Sequence, residues 1–366
     1  MKVECFRKKL LDCILLSGRI ASKDSTLPTL NAILFSANGS SLKLRATNLD
    51  AGIEFDIPAK VQKQGSVLVP SDVIGGFLSA LEGDEFVKLE VVEKNLSITT
   101  KHNSTLLHSY PVDDFPNLPP LEPTHTFEID TKELVGCIKS VWYSTSTSDI
   151  KPELASVLIY PHHNTLVFVA TDSFRLAEKK TALEPPQQFP PILIPYKIAS
   201  EVTRMFEGID GFVSVRFNKN QISFSTQGIY FTSRLTDGVF PNYQQIIVST
   251  FKTEAVVLKN DLQSSLKIAH IFLNKLNKVD LKISKEDKLF EIVSRGGNVG
   301  ENTSTISAAI EGEDIEMSFN HRYVFEVFQS IGEDSVVLKF NSPTKPMVIE
   351  GVGNKTFTYL VMPMNR

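Results

Sequence analysis

Two carboxylates driven apart in pKa by burial can divide the work of general acid and general base. Asp172 with Arg175, near Asp149 and Glu153, supplies the raw material for such a pair. No nucleophile, metal cluster or third orienting group stands beside them at a recognisable spacing, so acid–base catalysis lacks its other parts. His162-His163 offers two imidazoles, but Tyr160-Pro161 before them and Asn164 after them are turn composition, and a surface turn is expected. Gly296-Gly297-Asn298-Val299-Gly300 has no strand-to-helix context for a dinucleotide and reads as a loop, and no G-x-x-x-x-G-K-[ST] loop exists. Cys5, Cys13 and Cys137 are odd in number with no C-x-x-C pair, which leaves nothing for a disulfide framework or zinc knuckle. The chain is expected not to be an enzyme and to need no cofactor or metal.

The elements that would position any site come next. A chain of 366 residues with 42% hydrophobic and 22% charged content is globular and long enough for about two or three domains. Disorder and collagen are excluded. Thirty-eight Lys and Arg against 42 Asp and Glu give a net charge of −4, so an acidic polymer must be met with a local patch. Charged residues from Glu4 to Asp12 interrupt any signal-peptide core, and no run approaches the ~18 apolar residues of a membrane span. A cytoplasmic protein without membrane contact is expected, and the Asn38 and Asn354 sequons read as chance.

Self-similarity is the strongest signal. Thr29–Phe35 and Ala46-Thr47-Asn48-Leu49-Asp50 return as Glu153–Ile159 and Ala170-Thr171-Asp172-Ser173-Phe174, with 124 residues from Thr47 to Thr171. Val67-Leu68-Val69-Pro70, a helical run, Glu82-Gly83 and an alternating strand recur from Ile192-Leu193-Ile194-Pro195 and again from Met317-Ser318-Phe319-Asn320; Pro70 to Pro195 is 125 residues, and 124 more reaches Phe319. Three repeats are expected, at 1–124, 125–248 and 249–366. Each mixes period-2 strands such as Ser41–Ala46 with helices whose apolar residues recur three and four apart.

On a helical wheel Leu134, Cys137, Ile138, Val141 and Trp142 oppose Lys132, Gly136, Lys139 and Tyr143. In the third copy Leu262, Leu266, Ala269 and Leu273 oppose Asn260, Ser264, Lys267, Lys275 and Lys278, and in the first Phe6, Leu10, Cys13 and Ile14 oppose Lys8. The second helices carry Lys197 and Arg204 in copy two and Arg322 in copy three. A basic stripe on one helix is usually a solvated face; stripes on equivalent helices of a repeat would gather on one surface.

Four segments resemble the bacterial DNA polymerase III beta subunit, the sliding clamp family. They are Thr26–Leu30 with Ala46–Leu49, Ala170–Ala177, Asp237–Tyr243, and Tyr359-Leu360-Val361-Met362-Pro363-Met364. The resemblance implies an α+β fold of three repeated clamp-type domains, each with two helices packed on antiparallel sheets, forming a six-domain ring as a homodimer. Its helices would face double-stranded DNA without sequence preference, with Lys132, Lys139, Lys197, Arg204, Lys267 and Arg322 as phosphate contacts. Some members carry a DNA-contacting arginine where this chain has Asp24; that role does not pass to Asp24, and the adjacent Lys23 is a weak substitute for it.

The family's peptide cleft implies partners with short peptide motifs: replicative DNA polymerase, clamp-loader ATPase, repair polymerases and mismatch-repair proteins. The matching positions are Leu154, Thr171, Ser173, Phe174, Arg175, Leu176, Pro241, Gln245, Ile246, Asn320, Tyr323, Val361, Met362, Pro363 and Met364. Aliphatic residues, proline and adaptable methionine suit an apolar slot, with Arg175 and backbone groups able to set a peptide's orientation. Met362 and Met364 read either as this slot or as ordinary core. Ser173-Phe174 replaces the family's usual Gly-His, which implies a bulkier, less polar wall, and the ending Asn365-Arg366 departs from the commoner finish. Ring closure by position sets Leu107 against Phe272 and Leu273, although those two read equally well as core of their own domain. A non-encircling peptide-binding scaffold is the alternative. Thirteen basic against fifteen acidic residues in the first copy, 11 against 12 in the second and 14 against 15 in the third leave none basic in bulk, so charge placement decides.

Overall fold

The computed structural model describes residues 1–21, 27–83, 85–118, 121–248, 250–297 and 299–364. Lys23, Asp24, Asn365 and Arg366 lie outside the described residues. Two compact units result, Met1–Thr131 with Gly208–Leu235, and Lys132–Glu207 with Thr236–Arg366.

In the first unit, α1 (Arg7–Ile20) packs against α2 (Ser71–Ala80). Leu10, Cys13, Ile14, Ser17 and Ile20 of α1 are buried, the three-and-four spacing of one helical face. Phe6 is not among them: it precedes the helix, stands 52% exposed, and its ring lies 4.5 Å from that of Phe86. Two antiparallel sheets fill the unit. The five-stranded one runs Lys60–Lys63, Lys2–Phe6, Phe86–Val92, Asn95–Thr99, Ser104–Leu107. The eight-stranded one runs His125–Asp130, Phe212–Phe217, Gln221–Thr226, Ile229–Arg234, Ala51–Pro58, Ser41–Thr47, Ala32–Asn38, Gly65–Pro70. Alternation sets the faces: Leu42, Leu44 and Ala46 are buried, while Lys43 and Arg45 turn outward onto Glu54 of the next strand at 2.7 and 2.6 Å. Burial would raise the Glu54 pKa, but these two cations hold it below the usual carboxylate value.

The second unit carries α3 (Thr131–Val141, from Lys132 on), α4 (Tyr196–Phe206), α5 (Lys259–Ile271) and α6 (His321–Glu326) over one twelve-stranded antiparallel sheet. That sheet is continuous because Arg175–Ala182 pairs with Phe357–Val361, Ala177 opposite Tyr359. The first unit has the equivalent seam, Ala51–Pro58 with Ile229–Arg234, Ile53 opposite Phe231.

The repeat is visible atom by atom. After the last strand of each copy, one backbone N–H returns to the chain just before a helix: Tyr110 to the Leu68 carbonyl at 2.9 Å, Thr236 to Leu193 at 2.9 Å and Met364 to Ser318 at 2.8 Å. Phe115 packs with Leu34 and Leu68 as Phe240 packs with Leu158 and Leu193. The helices after these carbonyls begin at Ser71, Tyr196 and His321, so the third copy is spaced from the second by Asn320, one residue later than the sequence match at Phe319 suggests. Asn320 Oδ1 caps α6 by accepting from the Arg322 N–H at 3.0 Å.

Two helical wheels overrun their helices. Leu134, Cys137, Ile138 and Val141 are buried as their spacing demands, but α3 stops at Val141, and Tyr143 lies in the following turn, turned inward rather than outward. Likewise α5 stops at Ile271; Leu262, Leu266 and Ala269 are its buried face, while Leu273 and Lys275 follow it and Lys278 opens the next strand. His162-His163 forms the expected hairpin turn, with His163 at φ 54°, and the glycine cluster joins strands Leu289–Gly296 and Gly300–Gly312.

Candidate functional site

The turn from Thr171 to Arg175 is built by its own side chains. Thr171 Oγ1 donates to the Arg175 carbonyl at 2.6 Å and accepts from the Ser173 N–H at 3.2 Å. Asp172 Oδ1 accepts from the N–H groups of Phe174 and Arg175 at 2.9 and 3.0 Å, and Ser173 takes φ 78°. Thr47, Asn48 and Leu49 repeat the arrangement in the first copy, with Leu49 at φ 76°. The turn leaves Phe174 59% exposed and Arg175 5% exposed.

Arg175 is held by bonds on three sides. Its Nε donates to Asp172 at 3.1 Å, Nη1 to Glu326, and Nη2 to the Tyr143 carbonyl at 2.5 Å. The guanidinium lies 4.6 Å from the Tyr323 ring centroid and 5.6 Å from that of Tyr143. Burial works against its charge, but Tyr359, Glu326 and Asp172 outweigh burial and raise its pKa above the ordinary arginine value. Burial likewise raises the Tyr143 and Tyr323 hydroxyls, which therefore stay protonated. Glu326, Tyr143 and Tyr359 were not legible as site residues, because each meets Arg175 only through the fold.

The C-terminal strand closes one side. Val361 pairs with Arg175, the Met362 N–H donates to the Phe174 carbonyl at 2.8 Å, and the Tyr359 hydroxyl donates to the Tyr323 carbonyl at 2.9 Å. Met362, Pro363 and Met364 are half-buried, as are Asn320 and Tyr323. Leu154, Leu176 and Val361 are buried, and Ser173, Pro241, Gln245 and Ile246 are exposed. Tyr243 anchors the segment bearing Pro241, Gln245 and Ile246 by packing with Leu176 and donating to Glu178 at 2.5 Å. Residues 171–176, 320–323 and 361–364 thus meet directly, and 241–246 joins them through Tyr243.

The basic candidates divide by their company. Lys139 is paired with Glu207 at 2.5 Å, Arg204 with Glu201 at 2.8 Å and Arg322 with Glu326 at 2.6 Å. Lys132, Lys197 and Lys267 are exposed, Lys197 beside the ring of Tyr196. Leu107 is 8% exposed at the outer strand of the five-stranded sheet, whereas Leu106 is 53% exposed. Phe272 caps α5, and it and Leu273 are half-buried; a Cβ on Gly300 would stand 3.8 Å from the Phe272 ring. Among the described residues no group of His, Cys, Asp and Glu is placed to hold a metal, and no helix is long and apolar enough to cross a membrane.

A thrice-repeated α+β unit with antiparallel seams between repeats and the stacked rings of Phe174 and Tyr323 beside the C-terminal strand defines a protein of the clamp class. Models of the N-terminal, central and C-terminal domains of the DNA polymerase III beta subunit match residues 1–119, 128–242 and 244–365. The beta sliding clamp of Synechococcus elongatus is 27% identical over 372 residues, 100% of this chain and 99% of its own. The DNA polymerase III beta subunit of Thermotoga maritima superposes with a TM-score of 0.93 at 27% identity, covering 100% of this chain and 99% of that one. A sliding clamp from Bartonella birtlesii, solved bound to griselimycin, gives 0.94 at 25% identity with full coverage of both chains. The chain belongs to the DNA polymerase III beta subunit family.

Proposed function

We propose that this chain is a DNA polymerase processivity factor whose homodimer closes a six-domain ring around duplex DNA, each subunit contributing repeats 1–124, 125–248 and 249–366. One observation carries the ring. Each chain uses two seams, in which the last strand of one repeat pairs with the strand after the Thr171-type turn of another. The third pair of such strands, Ser104–Leu107 and the first half of Gly300–Gly312, keeps an open edge among the described residues. Open edges invite pairing, and a twofold dimer uses up both sets. Following the ladder from strand to strand, Thr105 takes the place of Phe231, and Asn302 that of Ile53. Thr105 then faces Asn302 of the partner subunit, and Leu107 falls over the glycine beside Phe272.

A ring holds DNA by topology, so diffuse phosphate contacts from Lys132, Lys139, Lys197, Arg204, Lys267 and Arg322 suffice and do not brake sliding. Retention raises processivity by keeping a tethered polymerase near its template. The slot around Phe174, Tyr323, Met362 and Met364 receives short peptide motifs of the replicative polymerase, clamp-loader ATPase, repair polymerases and mismatch-repair proteins. No catalytic step is required of the chain itself. Native mass measurement with retention on nicked circular against linearised DNA tests the ring. A dimer retained on circles alone is expected; a monomer, or equal loss from both DNAs, leaves a non-encircling peptide scaffold. Charged residues in place of Met362 and Met364 are expected to abolish peptide binding with the dimer intact.

A further inference from the structure

A cavity of about 340 Å³ opens between α5 and α6, lined by the rings of His270, His321 and Phe325 and by Lys267, Arg322 and Glu326. Its size is at the lower end for small-ligand sites, which run from about 300 to 1,000 Å³. The walls are flat rings held in place. His321 is 5% exposed, and its Nε2 donates to the Leu266 carbonyl at 2.8 Å, while its own backbone N–H donates to the Asn277 carbonyl at 2.8 Å. The His321 ring stacks on Phe325 at 5.8 Å and 10° and lies 5.1 Å from His270, which makes a three-ring column. Burial, with His270 nearby, lowers the His321 pKa and keeps that ring neutral.

The margin is cationic. Lys267 is exposed and forms no ion pair among the described residues. The Arg322 side chain is 68% exposed; its Nε meets Glu326, whose other oxygen meets Arg175, and Arg175 is paired with Asp172 too, so the two arginines are balanced by two carboxylates and Lys267 is the surplus charge. Flat π-surfaces inside and excess positive charge at the mouth fit a ligand with an aromatic ring at one end and an anion at the other. Aromatic side chains take any base by stacking, and lysine and arginine take phosphate.

We propose that the α5–α6 cavity is a nucleotide site, which holds one unpaired base against the His270–His321–Phe325 column with its phosphate on Lys267 and Arg322. A base within a duplex is covered on both faces and cannot enter, so base stacking here goes beyond the sliding contacts, with which the site shares Lys267 and Arg322. Its occupant is a nucleotide of a single-stranded stretch or a free nucleoside monophosphate; both present the same ring and phosphate.

Calorimetric titration of the full-length protein with dAMP and with ribose 5-phosphate is the test. Stacking predicts dAMP binding about tenfold tighter than the sugar phosphate. His270→Ala is expected to erase most of that preference while leaving retention on circular DNA unchanged, and Lys267→Gln to weaken both ligands. Equal affinity for the two ligands, or affinities untouched by both variants, overturns the proposal. Competition of dAMP with a short thymidine oligonucleotide identifies a strand as the source; dAMP binding without such competition identifies the free nucleotide, and either supports the site. Because retention on circles is scored separately, loss of the pocket and loss of the clamp reading remain distinguishable.

Discussion

The Phe174 ring stacks on that of Tyr323, 6.5 Å between centroids and 19° from parallel, and the Arg175 guanidinium lies 4.6 Å from the Tyr323 ring centroid. An exposed aromatic is thereby held on a charged foundation that is itself bonded to Asp172, Glu326 and the Tyr143 carbonyl. Phe174→Ala is expected to change stability by less than about 0.5 kcal/mol, as exposed positions do, yet to weaken a fluorescent peptide with apolar anchors about tenfold. Anisotropy titration beside thermal unfolding checks both. Unchanged peptide affinity removes Phe174 from the cleft.

Arg175→Ala leaves Asp172, Glu326 and the Tyr143 carbonyl without their shared donor. Breaking a buried pair in this way destabilises by about 3–5 kcal/mol. Arg175→Lys is expected to recover little, because one ammonium cannot reproduce the three-way fork. Denaturant unfolding of both variants is the measurement, and a lysine variant as stable as the parent contradicts this account.

The lysines call for a graded experiment. Lys197→Glu and Lys267→Glu are expected to lower retention on circular DNA and to flatten its dependence on salt, by about one unit of log–log slope per lost phosphate contact. Glu207→Gln is expected to do the opposite, since it releases Lys139 from its 2.5 Å partner. If Glu207→Gln also weakens retention, Lys139 does not face DNA.

Closure of the ring can be read by cross-linking. Thr105→Cys combined with Asn302→Cys is expected to yield a covalent dimer under mild oxidation, because only residues in register bring their Cβ atoms within disulfide range. Thr105→Cys with Ser304→Cys, two residues along the same strand, is the control and should cross-link poorly. The reverse ranking displaces the proposed register.

Burial pushes the thiols of Cys5 and Cys137 up to about 12 and that of Cys13 to about 11. A folded-state pKa raised above the unfolded value contributes stability that is complete below the unfolded pKa and disappears as pH climbs to the folded one. Stability is therefore expected to fall from pH 9 towards pH 12 through these three groups. Maleimide should label them only on unfolding; rapid labelling of the native protein at pH 8 refutes their burial.

The repeat was legible in the sequence because its landmarks are local: a turn that needs Thr171 and Asp172, an apolar strand before a helix, a Phe-Pro-Asn that folds back on it. Helix ends were not, since a wheel continues past the last hydrogen bond and so placed Tyr143 and Leu273 on faces that do not exist. The segments of the candidate cleft were readable as positions, whereas the bonding of Arg175 was not. Glu326 and Tyr143 reach Arg175 only through the fold. Gly52 shows the same limit: Leu176 occupies its place in the second copy, yet a Cβ here would stand 2.2 Å from Leu118 Cδ2.

The seams joining repeat to repeat are strands laid side by side, Ala51–Pro58 with Ile229–Arg234 and Arg175–Ala182 with Phe357–Val361. Tension along such strands loads every backbone bond of a seam at once, whereas a crosswise pull unzips them one after another. A collar made this way is mechanically anisotropic. It resists a pull along its seam strands through shear, and it yields most readily to peeling from the free end of a seam.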